Sequence, residues 1–182
     1  MNITLSAKGA MLKSDGRQRL LDSRCVVICG FPGVGKSTFA DKKVLWLEGR
    51  TKRSVPKSWR IIDLESSEFD KSMFPENYVG HIANIRDRCD ELGNRIVICC
   101  SSHKDVREEL LNSGIVPVVV IPSLDDKAAY EASLRARVGH PAPVDIIMAN
   151  LDAWIKEIED DERLDVVRLQ PGQHLSQLIT LA

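Results

Sequence analysis

The chain has 182 residues, with 25 Lys+Arg against 26 Asp+Glu, 43% hydrophobic and 28% charged residues. This is the chemistry of one well-packed domain, and its near-neutral charge excludes a generic nucleic-acid-coating protein. No apolar run approaches the roughly 20 residues a membrane crossing needs, and residues 1–24 lack a continuous apolar stretch, so membrane and secreted classes are set aside in favour of a cytoplasmic one.

Residues 1–22 carry no clear pattern and are predicted to be a poorly ordered extension ahead of a single domain over 23–182. The first strand is predicted at Cys25–Cys29, followed by a helix with Phe39, Lys43 and Trp46 on one stripe. Further strands are predicted at 60–62, 95–100, 116–121 and 166–169. All but the last are continuous apolar runs without alternation, as in a parallel sheet covered on both faces. Between them, Tyr78, Ile82, Ile85, Cys89 and Leu92 stripe a helix bounded by Pro75 and Gly93. Ser102 and Ser123, each three residues before an Asp, predict capping boxes for the next two helices. Ile147, Leu151, Trp154 and Ile158 stripe a long helix after Pro143, and a short helix follows the last strand. Right-handed crossovers turn this order into an α/β fold, a mostly parallel five-stranded sheet with helices on both faces.

The five cysteines, Cys25, Cys29, Cys89, Cys99 and Cys100, fit no simple disulfide framework and lack zinc-site spacing. They read as small hydrophobes of a reduced core.

Between the first strand and first helix lies Gly30-Phe31-Pro32-Gly33-Val34-Gly35-Lys36-Ser37, the full G-x-x-x-x-G-K-S phosphate loop. Gly30, Gly33 and Gly35 allow a tight loop whose backbone N–H groups, including that of Val34, turn onto phosphate oxygens. Lys36 neutralises charge on the β- and γ-phosphates, the Ser37 hydroxyl completes the shell of Mg²⁺, and Thr38 adds a secondary polar contact. The segment after the fourth strand, Pro122–Asp126, contains no base-reading N-K-x-D of a GTPase. The third strand ends in Cys99-Cys100-Ser101-Ser102 rather than in the adjacent acids of motor ATPases. A kinase remains.

Several segments carry a resemblance: Gly30–Ser37, Ile62–Phe69, Phe74–Tyr78, Ser101–Arg107, the helix with Tyr130, Arg135 and Arg137, and Gly172–Leu175. With them the chain resembles the small P-loop kinases of the nucleoside monophosphate kinase group, including short phage and bacterial proteins labelled adenylate kinase-like or nucleotide kinase. The resemblance implies a three-layer P-loop NTPase fold with strand order 2-3-1-4-5, an ATP site at the loop, and adenine near Gly172-Gln173-His174. It also implies a mobile arginine-bearing lid, here a short one around 125–142. Adenylate kinases carry Asp-Gly after the third strand, whereas this chain has Ser101-Ser102-His103, closer to gluconate-type and polynucleotide-type kinases.

Asp63 ends the second strand, at the sheet edge where ligands of open α/β folds collect. It is assigned either the proton of an attacking hydroxyl or the Mg²⁺ hydration shell. One of Glu65, Ser66 and Ser67 is expected to touch the acceptor. Arg135 and Arg137 lie two apart on a helix and cannot share a face, so one of them is expected at the transferring phosphate. Arg107 is a candidate for acceptor phosphate. Residues 42–60 hold Lys42, Lys43, Arg50, Lys52, Arg53, Lys57 and Arg60 against Glu48, which reads either as a solvated loop or as a grip on DNA or RNA. The expected activity is ATP- and Mg²⁺-dependent transfer of the γ-phosphate to a small acceptor, a nucleoside or nucleotide. A kinase acting on a nucleic-acid hydroxyl and a nucleotide-binding regulatory ATPase are the alternatives.

Overall fold

The computed structural model describes the backbone of residues 3–6, 9–14, 17–21, 24–42, 44–47, 51–54, 59–89, 95–136 and 143–181, and the side chains of 24–41, 59–89, 95–136 and 143–179. In chain order the elements are β1 (Ile3–Ser6), β2 (Gly9–Ser14), β3 (Arg17–Leu21), β4 (Cys25–Gly30), α1 (Lys36–Lys42), β5 (Val44–Leu47), β6 (Thr51–Ser54) and β7 (Trp59–Asp63). There follow α2 (Glu76–Asp87), β8 (Arg95–Ser101), α3 (Lys104–Asn112), β9 (Val118–Ile121), α4 (Lys127–Arg135), α5 (Val144–Asp160), β10 (Asp165–Arg168), α6 (Leu175–Leu178) and β11 (Ile179–Leu181). Two 3-10 turns, Ser66–Glu68 and Lys71–Met73, link β7 to α2.

The main sheet runs β10-β9-β4-β8-β7, with every neighbouring pair parallel. Counted along these five strands, the order is 2-3-1-4-5. Every residue of β4 and β9 is buried, as are Ile96–Cys100 of β8, which explains why their sequences are apolar without alternation. The edge strands β7 and β10 are only partly covered and carry polar residues. The chain leaves β4 toward β7 on one side and leaves β8 toward β9 on the other. The switch point of this three-layer α/β fold therefore falls at the β4/β8 pair, where Gly30 stands opposite Ser101. The largest fully buried side chains include Tyr78, Phe39, Ile28, Ile98, Leu110 and Leu134.

Within residues 1–22 the described segments form β1–β3, and β1 also pairs in parallel with β11, Ile3 opposite Ile179. Two expectations are corrected. The first helix ends at Lys42 instead of running on through Leu47. Val44–Leu47 pairs antiparallel with Thr51–Ser54, a use of Val and Trp that suits a pleated surface better than a helix. The two serine caps are displaced. His103 occupies the N-cap of α3 without a side-chain bond, whereas α4 is capped by Asp126, whose carboxylate accepts from the Ala129 amide at 2.9 Å. Ser123 instead accepts from the Asp125 amide in a local turn, at 3.1 Å.

Candidate active site

The Gly30–Ser37 loop is held by its apolar members. Phe31 and Val34 are buried, 3% and 1% exposed, and the Phe31 amide donates to the Val120 carbonyl at 2.9 Å, tying the start of the loop to β9. The Val34 carbonyl accepts from the Leu175 amide at 2.9 Å, tying its far end to α6. Val34 thus serves through its backbone. Gly33 and Gly35 have φ of +80° and +97°, a region that favours glycine. A Cβ on Gly33 would also stand 2.7 Å from Leu134 Cδ2 on α4, and one on Gly30 would stand 2.6 Å from Lys36 Cδ.

Lys36 opens α1 and folds its ammonium back over the loop, donating to the Gly30 carbonyl at 2.7 Å and the Phe31 carbonyl at 3.4 Å. Burial pushes its pKa down, and the Asp63 carboxylate is the largest opposing influence. Asp63 responds in the opposite sense. Burial pushes its carboxyl up, against the Ser37 hydroxyl and the Lys36 ammonium, while Glu65 and Asp41 push it further up. Its Oδ1 is buried and makes no hydrogen bond. The fold therefore brings Gly30, Gly33, Gly35, Lys36, Ser37 and Asp63 together on one edge of the sheet. Thr38 is exposed on α1.

These residues suit a magnesium–triphosphate ligand. A part-buried ammonium bonded to loop carbonyls, glycines at 30 and 33 that leave no room for a Cβ, and an unpartnered buried carboxylate oxygen near a serine hydroxyl are the kinds of group such a ligand uses. Among the described residues no group of three or more His, Cys, Asp or Glu could cage a metal by itself, so Ser37 and Asp63 would share the ion with phosphate oxygens and water.

Other candidates are placed differently. Arg135, at the end of α4, donates to Glu131 Oε1 at 2.8 Å and to Asp145 Oδ1 on α5 at 2.5 Å, with its side chain half exposed. Arg137 lies outside the described residues, as do residues 43, 48–50 and 55–58 of the basic segment. Arg107 is buried, donating to the Ser102 carbonyl and, at 2.7 Å, to Glu157 Oε1 on α5. That is a latch between α3 and α5. Glu65 and Ser67 are exposed beside Asp63, and the Ser66 carbonyl is engaged by the Lys71 ammonium at 2.5 Å. His174 lies against the loop, its Cβ 3.5 Å from where a Gly35 Cβ would be.

Three side-chain roles escaped the sequence. Tyr130 on α4 donates from its hydroxyl to the Pro32 carbonyl at 2.8 Å, and Leu134 packs on Gly33. Their i, i+4 spacing was visible, although its target was not. Tyr78, fully buried on α2, donates to the Leu64 carbonyl at 2.7 Å and accepts from the Ser101 amide at 3.0 Å.

No protein-family model matches the chain, and no curated protein matches it. Among solved structures, an unliganded sugar kinase from Janibacter sp. HTCC2649 is similar in fold, with 18% identity and a TM-score of 0.47, over 80% of this chain and 84% of that one. No described helix is long and apolar enough to cross a membrane.

Proposed function

We propose that the chain is a phosphotransferase of the small P-loop kinase type, moving the γ-phosphate of ATP, with Mg²⁺, to the hydroxyl of a small acceptor such as a nucleoside or nucleotide. One observation carries this reading. The Lys36 ammonium, folded onto the Gly30 carbonyl, and the Asp63 carboxylate, with an unpartnered oxygen, each favour the other's charged form, with Ser37 between them in the chain's first helix and Asp63 at the end of β7.

The loop amides and Lys36 hold the phosphate chain and favour the charge that gathers on it in the transition state. Ser37 would hold the magnesium ion, with Asp63 in its hydration shell in one of that carboxylate's two candidate roles, and the ion would withdraw charge from the phosphate oxygens. In the other of its two candidate roles, the Asp63 carboxylate accepts the proton of the acceptor hydroxyl while that oxygen bonds to phosphorus and the nucleoside diphosphate departs. Its upward-shifted pKa brings the base closer to neutral pH, where proton transfer is most effective. Arg135 reaches the transferring group only by exchanging Asp145 and Glu131 for phosphate oxygens.

Calorimetry with MgATP, followed by labelled-ATP turnover against pools of nucleosides, nucleotides, sugars and oligonucleotides, tests this. Binding heat with acceptor-dependent product is expected. No heat of association, or binding without any acceptor-dependent product, would overturn it.

A further inference from the structure

The hydrogen-bond ladder between β7 and β8 changes character one residue beyond Asp63. Asp63 stands opposite Cys99, and the Leu64 amide donates to the Cys99 carbonyl at 2.9 Å. The next rung of a parallel ladder would join the Ser101 amide to the Leu64 carbonyl. Tyr78 of α2 takes that rung instead. The Ser101 amide donates to its phenolic oxygen at 3.0 Å, and its hydroxyl donates to the Leu64 carbonyl at 2.7 Å. One hydrogen bond has become two in series, and a side-chain oxygen fills the space between the two backbones. The phenol is fully buried, with Phe69 edge-on at 4.9 Å and Phe74 at 5.6 Å. Packing of this kind leaves the ring little room to move, so the hydroxyl acts as a fixed spacer.

The strand ends joined by this spacer lead to the two charged groups of the site. On one side Leu64 follows Asp63 directly. On the other, Ser101 stands opposite Gly30, whose carbonyl accepts from the Lys36 ammonium at 2.7 Å. Asp63 and Lys36 are close enough for each to favour the other's charged form. That influence falls with separation, and the separation depends on how the ends of β7, β8 and β4 are held together. Among these three ends, the Tyr78 hydroxyl is the link contributed by a side chain from outside the sheet.

We infer that Tyr78 is a positioning residue: its hydroxyl, inserted as a rung between β7 and β8, sets where the Asp63 carboxylate stands relative to Lys36 and the Gly30–Ser37 loop. Tyr78 therefore governs the rate of transfer through Asp63, from a buried place behind it. This deepens the phosphotransferase reading and rests on it.

A double-mutant cycle of Tyr78→Phe and Asp63→Asn tests the inference. Single-turnover rates with enzyme in excess keep slow variants measurable, calorimetry gives MgATP affinity, and melting temperature follows the fold. Tyr78→Phe keeps the ring and removes both hydrogen bonds. It is expected to lower the transfer rate at least ~10-fold, because a misplacement of about 1 Å at reacting groups can cost ~100-fold. MgATP affinity should stay within about threefold of the unmodified chain, and the melting temperature should fall. Added to Asp63→Asn, the same change should alter the rate by less than about threefold while still lowering the melting temperature. A purely structural tyrosine would slow both backgrounds alike. An unchanged rate in Tyr78→Phe, an equal fold loss in both backgrounds, or a loss of MgATP affinity as large as the loss of rate would overturn the inference. Should Tyr78→Phe not fold, Phe69→Leu, which removes the edge-on ring and keeps the hydroxyl, takes its place in the cycle and is judged by the same outcomes. The unmodified chain reports on the phosphotransferase reading separately: no MgATP binding heat there, or no product with any acceptor, ends that reading and this inference with it.

Discussion

The Tyr130 hydroxyl donates to the Pro32 carbonyl at 2.8 Å, bolting α4 onto the middle of the Gly30–Ser37 loop. One helical turn later, Leu134 fills the space a Gly33 side chain would need. The helix with the proposed lid arginine is thus part of the loop's own support at one end and paired to α5 through Arg135 and Asp145 at the other. Tyr130→Phe is expected to cost about 1 kcal/mol and Leu134→Ala about 2–4 kcal/mol, read from urea unfolding. Gly33→Ala should weaken MgATP binding more than either. Adding Leu134→Ala should recover only part of that loss, because φ at Gly33 stays at +80°.

Removing the ammonium separates function from folding. Lys36→Met should reduce turnover by at least ~100-fold, in the range lost with one preorganised transition-state donor. The protein without nucleotide should melt no lower than the parent, because burial already disfavours the charged lysine. Parallel melting and turnover measurements check both, and a marked loss of melting temperature would show Lys36 to be structural.

Asp63 links activity to pH. Its carboxyl is shifted up from 3.8 by burial. Between that ordinary value and the raised folded one, the folded chain keeps a proton that the unfolded chain has released. Its contribution to stability is therefore present at low pH and is lost as pH rises through this window. Asp63→Asn should flatten this slope, raise the melting temperature near neutrality, and lower turnover. In the parent, turnover should rise with pH across the same window as the base ionises. Melting curves and rates at a series of pH values test the sign, and a variant less stable near neutrality would contradict it.

The latch between Arg107 and Glu157 should matter for folding alone. Arg107 is 8% exposed and Glu157 39%. Arg107→Met leaves the Ser102 carbonyl without its donor and Glu157 with Lys104 alone, at 3.6 Å, a loss of about 2–4 kcal/mol. Glu157→Gln keeps a hydrogen-bond acceptor beside Arg107, and its partial exposure reduces the cost to about 1 kcal/mol. Denaturant midpoints distinguish the two.

The central strands were legible because burial on both faces forces uninterrupted apolar runs, and Gly30–Ser37 because few other residues can form that loop. Asp63 was legible as a polar residue closing such a run. Val44–Leu47 was misread because Phe39, Lys43 and Trp46 satisfy a helical stripe, and only pairing with Thr51–Ser54 decides otherwise. Arg107 looked like a ligand for phosphate because an arginine one turn into a helix near the sheet edge carries no mark of its partner, and Glu157 lies 50 residues away. The Tyr78 bridge was equally hidden. A tyrosine on an apolar stripe reads as core, and nothing local reveals that its hydroxyl joins two strand ends.

The burial of all five cysteines, 6% exposed at Cys25, 2% at Cys89 and fully enclosed at Cys29, Cys99 and Cys100, gives the protein a built-in gauge of its own integrity. A maleimide dye in native buffer meets no accessible sulfur, so labelling kinetics time the excursions that open the sheet. The same silence means that one cysteine introduced on α4 would take up a fluorophore alone, and would follow that helix as nucleotide is added.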